Sequence, residues 1–185
     1  MKLMFDIRKI QEQAIFEAIK RASDTETASE IVYGKNDAAR NEDNPSWVAS
    51  TMQRLEEKFD TEAVKVIRME CQCGYGMEEK LALLERLKSK ASNLEEFASS
   101  QEAKSAGLSY RDGQLYLQFD FCPCPMLAGV QKLNSMTWCQ CSAGYSKVLF
   151  EKAFNCAVDV TMLKSIKCSD DICLMRIDIP DYVWM

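Results

Sequence analysis

An α+β fold is predicted for this 185-residue chain, with helices first and an antiparallel sheet crossed by one helix second. Three observations carry that reading. Residues 1–104 hold 16 basic and 20 acidic side chains, whereas residues 105–185 hold 7 and 8. Within the charged part, apolar residues recur at helical spacing, one stripe to each segment. After Ala106 they begin to alternate, as they do in a strand with one buried face. The length suits a single domain spanning residues 1–185, with a helical part over 1–104 and a sheet part over 105–185.

The elements follow in order. Met4 to Arg21 reads as a helix, with Ile7, Ile10, Ala14, Ile15, Ala18 and Ile19 on one side. A polar stretch from Ser23 to Asn44 separates it from the next. Asn44 and Pro45 suit an N-cap and a first helical position, and Val48, Met52, Leu55 and Phe59 then share a face. Asp60 caps a further helical turn that carries Ala63, Val64 and Ile67 to Glu70. Met77 to Lys90 places Leu81, Leu84 and Leu87 inward. The run from Ser92 to Glu95 has the spacing of a capping box and opens a helix to about Lys104.

Leu108–Arg111 and Gln114–Phe119 flank Asp112-Gly113, a pair suited to the two-residue turn of a hairpin. Met136–Cys141 is expected as a third strand, and Ser142 as the cap of a helix to Phe154. Ala157–Lys167 and Ile172–Ile179 are expected as closing strands, joined by a turn at Ser169-Asp170-Asp171.

Composition excludes several classes. The chain is 47% hydrophobic and 28% charged, with 7 glycines and 4 prolines, which is neither collagen-like nor disordered. No apolar run approaches the roughly 20 residues of a membrane helix. Residues Met1 to Asp6 lack the pattern of a secretory leader, so a cytoplasmic location is expected. Net charge is −5, which offers no basic field for nucleic acid.

Nine cysteines and no histidine shape any chemistry this chain can do. The odd count and the missing leader point to a reducing compartment, with cysteines metal-bound, redox-active or packed as small hydrophobes. Without histidine the usual general base and the commonest metal ligand are both absent. Three Cys-x-Cys pairs stand out: Cys71/Cys73, Cys122/Cys124 and Cys139/Cys141. In a strand, Cys139 and Cys141 would present sulfur on one face. Pro123 and Pro125 hold Cys122 and Cys124 extended or turned. Soft sulfur ligands select zinc or an iron–sulfur cluster, and zinc is preferred here. Cys156 and Cys168 read as packing.

The segment Trp138-Cys139-Gln140-Cys141-Ser142-Ala143-Gly144-Tyr145 leads into Phe150–Phe154. Val158-Asp159-Val160 and then Ser165–Cys173 follow. This pattern resembles the C-terminal module of the 4-vinyl reductase domain family, over about 45 of the 185 residues. It is similar also to L-2-amino-thiazoline-4-carboxylic acid hydrolase-like proteins and to cysteine-rich bacterial proteins of unknown function. The resemblance implies a zinc near Cys139 and Cys173. Ser165 stands where the middle cysteine of the family pattern would fall, and Ser169 where its turn glycine would. Cys141, Cys122 or Cys124 would then complete the shell, with Asp120 as the nearest acidic candidate.

Tyr116, Phe119, Phe121, Trp138, Tyr145, Phe150 and Phe154 make the sheet half rich in aromatic rings, which suit either a core or an apolar ligand cavity. Tyr145, Trp138 and Phe119 are the ligand-binding candidates. Cys71, Cys73, Cys122, Cys124, Cys139, Cys141 and Cys173 are the metal candidates. The first reading is a binding or sensor module for a small apolar or heterocyclic ligand, without nucleic acid or membrane as partner and with a homodimer left open. The second is a hydrolase that opens a small heterocycle, with a cysteine or metal-bound water as nucleophile and Asp120 as base. The third is an interaction protein whose cysteines only pack.

Overall fold

The computed structural model describes residues 6–180 and Trp184. Its architecture is α+β, with most helices preceding a four-stranded antiparallel sheet. Contacts group the chain into two compact units, each assembled from two stretches of sequence. One comprises the residues up to Cys73 together with Pro123–Ser142. The other comprises Gly74–Cys122 and the chain from Ala143 onward.

The first unit is helical. α1 (Ile7–Ala22), α2 (Thr25–Tyr33), α3 (Asn44–Lys58) and α4 (Thr61–Met69) each start at an aspartate whose carboxylate accepts a backbone N–H of the first turn. Those caps are Asp6, Asp24, Asp43 and Asp60. Met4, the expected start of α1, lies outside the described residues. The polar stretch after Ser23 folds because Asp24 caps α2 and because Ala28, Ile31 and Val32 form a buried stripe. Asn44, expected as the cap of α3, is already helical. Asp43 takes that role by accepting from Ser46 N at 2.8 Å.

Ile15, Ile19, Val32, Trp47, Val48 and Leu55 are fully shielded or nearly so. The Trp47 indole donates to the Val32 carbonyl at 2.8 Å, which satisfies the single polar atom of that ring. From the later stretch, Met126, Leu127 and Trp138 are buried in this unit as well.

The second unit holds α5 (Met77–Lys88), α6 (Leu94–Ser99), α7 (Gln101–Ser105) and the whole sheet. The helix expected to run to Lys104 is interrupted at Ser100, whose hydroxyl accepts from Ala103 N and caps α7 afresh. The capping box lies one residue later than its expected spacing. Asn93 accepts from Glu96 N, and the Glu96 carboxylate accepts from Ser92 N.

β1 (Leu108–Arg111) and β2 (Gln114–Phe119) form the expected hairpin. Asp112 and Gly113 both have positive φ, 52° and 76°, as that turn demands. β3 (Asp159–Lys164) and β4 (Cys173–Asp178) complete the order β1-β2-β4-β3, antiparallel throughout. The expected strand to Lys167 stops three residues early. A short 3-10 turn covers Ile166–Cys168, and the Asp170 carboxylate accepts from Ser165 N at 2.7 Å to close the loop.

The expected strand at Met136–Cys141 does not form. Gln140, Cys141 and Ser142 donate to carbonyls three residues earlier and lead into α8 (Gln140–Phe154). A strand needs a neighbour, and every strand among the described residues belongs to the other unit. Ser142 is therefore inside α8, not its cap. In the second unit the Ser146 hydroxyl of α8 touches the Met175 sulfur of β4, and Lys88 of α5 donates to the Ala153 and Phe154 carbonyls at the end of α8. Phe154 stacks on Phe150 and meets Phe97 and Trp184 edge-on. No helix among the described residues is long and apolar enough to cross a membrane.

Candidate functional site

α4 carries an apolar stripe of Val64 and Ile67, and Arg68 falls beside it, one turn after Val64. The helix thus delivers a charged side chain to the interior of the first unit, where Arg68 has no exposed surface. Its Nη2 donates to the Trp138 carbonyl at 3.0 Å, and its guanidinium carbon lies 4.4 Å from the Trp138 ring centre. Trp138 in turn meets Trp47 edge to face at 5.8 Å. Nε and Nη1 of Arg68 have no acceptor in hydrogen-bond geometry, and among the described residues no carboxylate pairs with it. An ion so deeply buried ordinarily requires compensation.

The charge of Arg68 acts on two buried thiols, those of Cys71 and Cys141. α4 ends at Met69, and two residues on the chain places Cys71 in the interior, where its thiol donates to the Ile67 carbonyl at 3.0 Å. The Cys141 thiol donates to the Cys71 carbonyl at 2.9 Å. Gln11 of α1, only 3% exposed, reaches both through Nε2, at 3.4 Å from the Cys71 carbonyl and 3.8 Å from the Cys141 sulfur. The Gln11 side-chain oxygen, like the two Arg68 nitrogens, is buried without a partner.

Burial pushes the Cys141 thiol up to about 12. The Arg68 charge opposes that shift, while Cys71, Cys124 and Cys73 add to it. Burial likewise pushes the Cys71 thiol up, against the charge and N–H of Arg68. Three of the other cysteines expected as metal ligands, Cys71, Cys73 and Cys124, therefore act on Cys141 within one unit. Cys73 and Cys124 are half-buried in coil, whereas Cys71 and Cys141 are buried. The donor chemistry fits a soft metal ion. The assembled cage does not: among the described residues no three Cys, Asp or Glu side chains stand together so as to hold a metal.

A model of one protein family matches residues 4–184, nearly the whole chain. The chain belongs to the family of unknown function DUF6144. No curated protein and no solved structure matches it.

The remaining candidates of this DUF6144 chain divide between its two units. Cys139 is buried at the turn before α8, in the helical unit. Its expected pairing with Cys141 on one strand face is lost, since residues two apart on a helix point to different sides. Cys122 and Cys173 belong to the sheet unit, with Cys173 opposite Phe119 in the β2–β4 register. Trp138 was expected among the aromatic residues of the sheet half, but it packs in the helical unit. Phe119 is half-buried on β2, 6.0 Å from the exposed ring of Phe121.

The half-buried Tyr145 donates its hydroxyl to the Tyr75 carbonyl at 2.9 Å, and the Lys80 ammonium sits 4.7 Å from its ring centre. Asp120 is exposed and accepts from Gln118 at 3.3 Å. Cys156 is half-buried just past α8. Ser169 holds φ at 77°, a conformation that favours glycine.

Two residues of the site escaped the sequence reading, Arg68 and Gln11. Each carried a signal. Gln11 lies one turn from Ile7 and Ile15 on the buried side of α1, and Arg68 one turn from Val64 on α4. A charged or polar residue on an apolar stripe marks a buried polar group.

Proposed function

We propose that this DUF6144 protein is a small binding module whose cysteine centre, Cys71, Cys73, Cys124 and Cys141 beside Arg68, takes up a soft metal ion, zinc before an iron–sulfur cluster. The observation that carries the reading is a fully buried guanidinium with two nitrogens that lack an acceptor, no paired carboxylate among the described residues, and the buried thiols of Cys71 and Cys141 within reach of its charge. As neutral thiols those cysteines do nothing to offset the charge. Coordination would deprotonate them, and a centre of several thiolates around a divalent ion is anionic. Arg68 then supplies the counter-charge and its free N–H groups become donors to sulfur. Cys73 and Cys124 sit in coil, so they can close on the ion without disturbing a helix.

Elemental analysis of purified, untagged protein tests the proposal. About one zinc per chain is expected, with the half-buried Cys73 and Cys124 shielded from a thiol reagent until a chelator is added. Protein that is metal-free as made and takes up no zinc in competition with a chromogenic chelator would overturn it.

A further inference from the structure

Apart from the cysteines, the helical unit carries a cleft of about 480 Å³, open to solvent on one side, between α3, α4 and the segment before α8. That volume falls within the roughly 300–1,000 Å³ typical of small-molecule sites. Its apolar wall is made by Phe59, Val64 and Met136. Two charged groups also line it, and they differ in what they already hold. Glu56 accepts the hydroxyls of Ser135, at 2.9 Å, and of Thr137. Lys65, half-buried on α4, makes no ion pair with any described residue.

Both of those bonds fall on Glu56 Oε1 and fix that carboxylate against Ser135 and Thr137, although they leave its charge in place. Lys65 has no acidic partner among the described residues and stands beside the apolar wall. We propose that this cavity binds a small monocarboxylate with an apolar body, its carboxylate paired with Lys65 and its body laid between Phe59, Val64 and Met136. The apolar wall supplies contact area, and the Lys65 ammonium supplies orientation and selectivity. The inference builds on the reading of a binding module and is independent of the metal.

Three eight-carbon probes separate the alternatives: octanoate, octanol and octylamine, titrated calorimetrically into the full chain. Octanoate is expected to saturate one site per chain and to bind more tightly than octanol, while octylamine gives no saturable heat. Lys65→Met should weaken octanoate about tenfold or more and leave octanol unchanged. Met136→Trp, which fills the cavity, should abolish both. Octylamine binding as well as octanoate, octanoate held equally tightly by Lys65→Met, or no octanoate binding at millimolar concentration would each overturn the proposal. Metal content measured on the same samples keeps its failure distinct from failure of the cysteine centre.

Discussion

Arg68 meets Trp138 twice: its Nη2 donates to the Trp138 main-chain oxygen at 3.0 Å, and its guanidinium lies 4.4 Å from the ring of the same residue. Two residues far apart in the chain are thereby held at the point where α4 and the approach to α8 converge within the helical unit. The hydrogen bond and the ring face stabilise part of the guanidinium. Neither carries a negative charge, so the electrostatic cost of burial is left for another group to offset.

Replacing Arg68 separates the two states of the centre. In metal-free protein, Arg68→Met removes a buried charge without stranding an ionic partner, so stability should stay within about 1 kcal/mol of the unchanged chain or rise. In zinc-loaded protein the same change removes the counter-charge, and affinity should fall about tenfold or more. Urea denaturation and chelator competition measure the two effects. Equal zinc affinity in both proteins would show that Arg68 serves packing alone.

The buried thiols make metal-free protein sensitive to alkali. Cys141 is pushed from the ordinary 9.0 up to about 12, so between those values the folded chain keeps a proton that the unfolded chain releases. Stability is therefore fully present below about pH 9 and declines as pH rises toward 12. Cys141→Ala should flatten that decline. An unchanged alkaline slope in the variant would place the titrating group elsewhere.

Gly107 tests the start of the sheet. Its φ is 88°, and a Cβ there would lie 2.2 Å from the Gln118 carbonyl, whose own N–H donates to Gly107 O at 2.9 Å. Gly107→Ala should destabilise the protein by at least about 1–3 kcal/mol, through both backbone strain and the clash. Thermal denaturation of the variant checks this, and an unaltered midpoint would contradict the geometry.

Cys156 and Cys168 stand outside the proposed centre: Cys156 follows α8, and Cys168 ends the 3-10 turn after β3. Both belong to the sheet unit. Replacing Cys156 by Ala and Cys168 by Ser should leave metal content unchanged. Loss of metal from that double variant would move the centre away from Arg68.

By itself the sequence determined the fold class, most of the helices though not α2, and the hairpin at Asp112-Gly113, because those features follow from local spacing. A period near 3.6, an aspartate before an apolar stripe, and two residues able to hold positive φ act within a few positions of one another. The tertiary structure decided what local rules cannot reach. Met136–Cys141 alternates like a strand, yet it becomes a turn and a helix start because its own unit offers no strand to pair with. Of the cysteines, spacing suggested Cys139 and Cys141 as partners. Packing instead set Cys141 against Cys71, because α4 and the start of α8 meet in one core. On the pattern of α4 alone Arg68 is one more charge beside an apolar stripe, and only the elements folded over α4 turned it into a buried cation. Local pattern chooses the element, while long-range packing chooses its neighbours, and a site is made of neighbours.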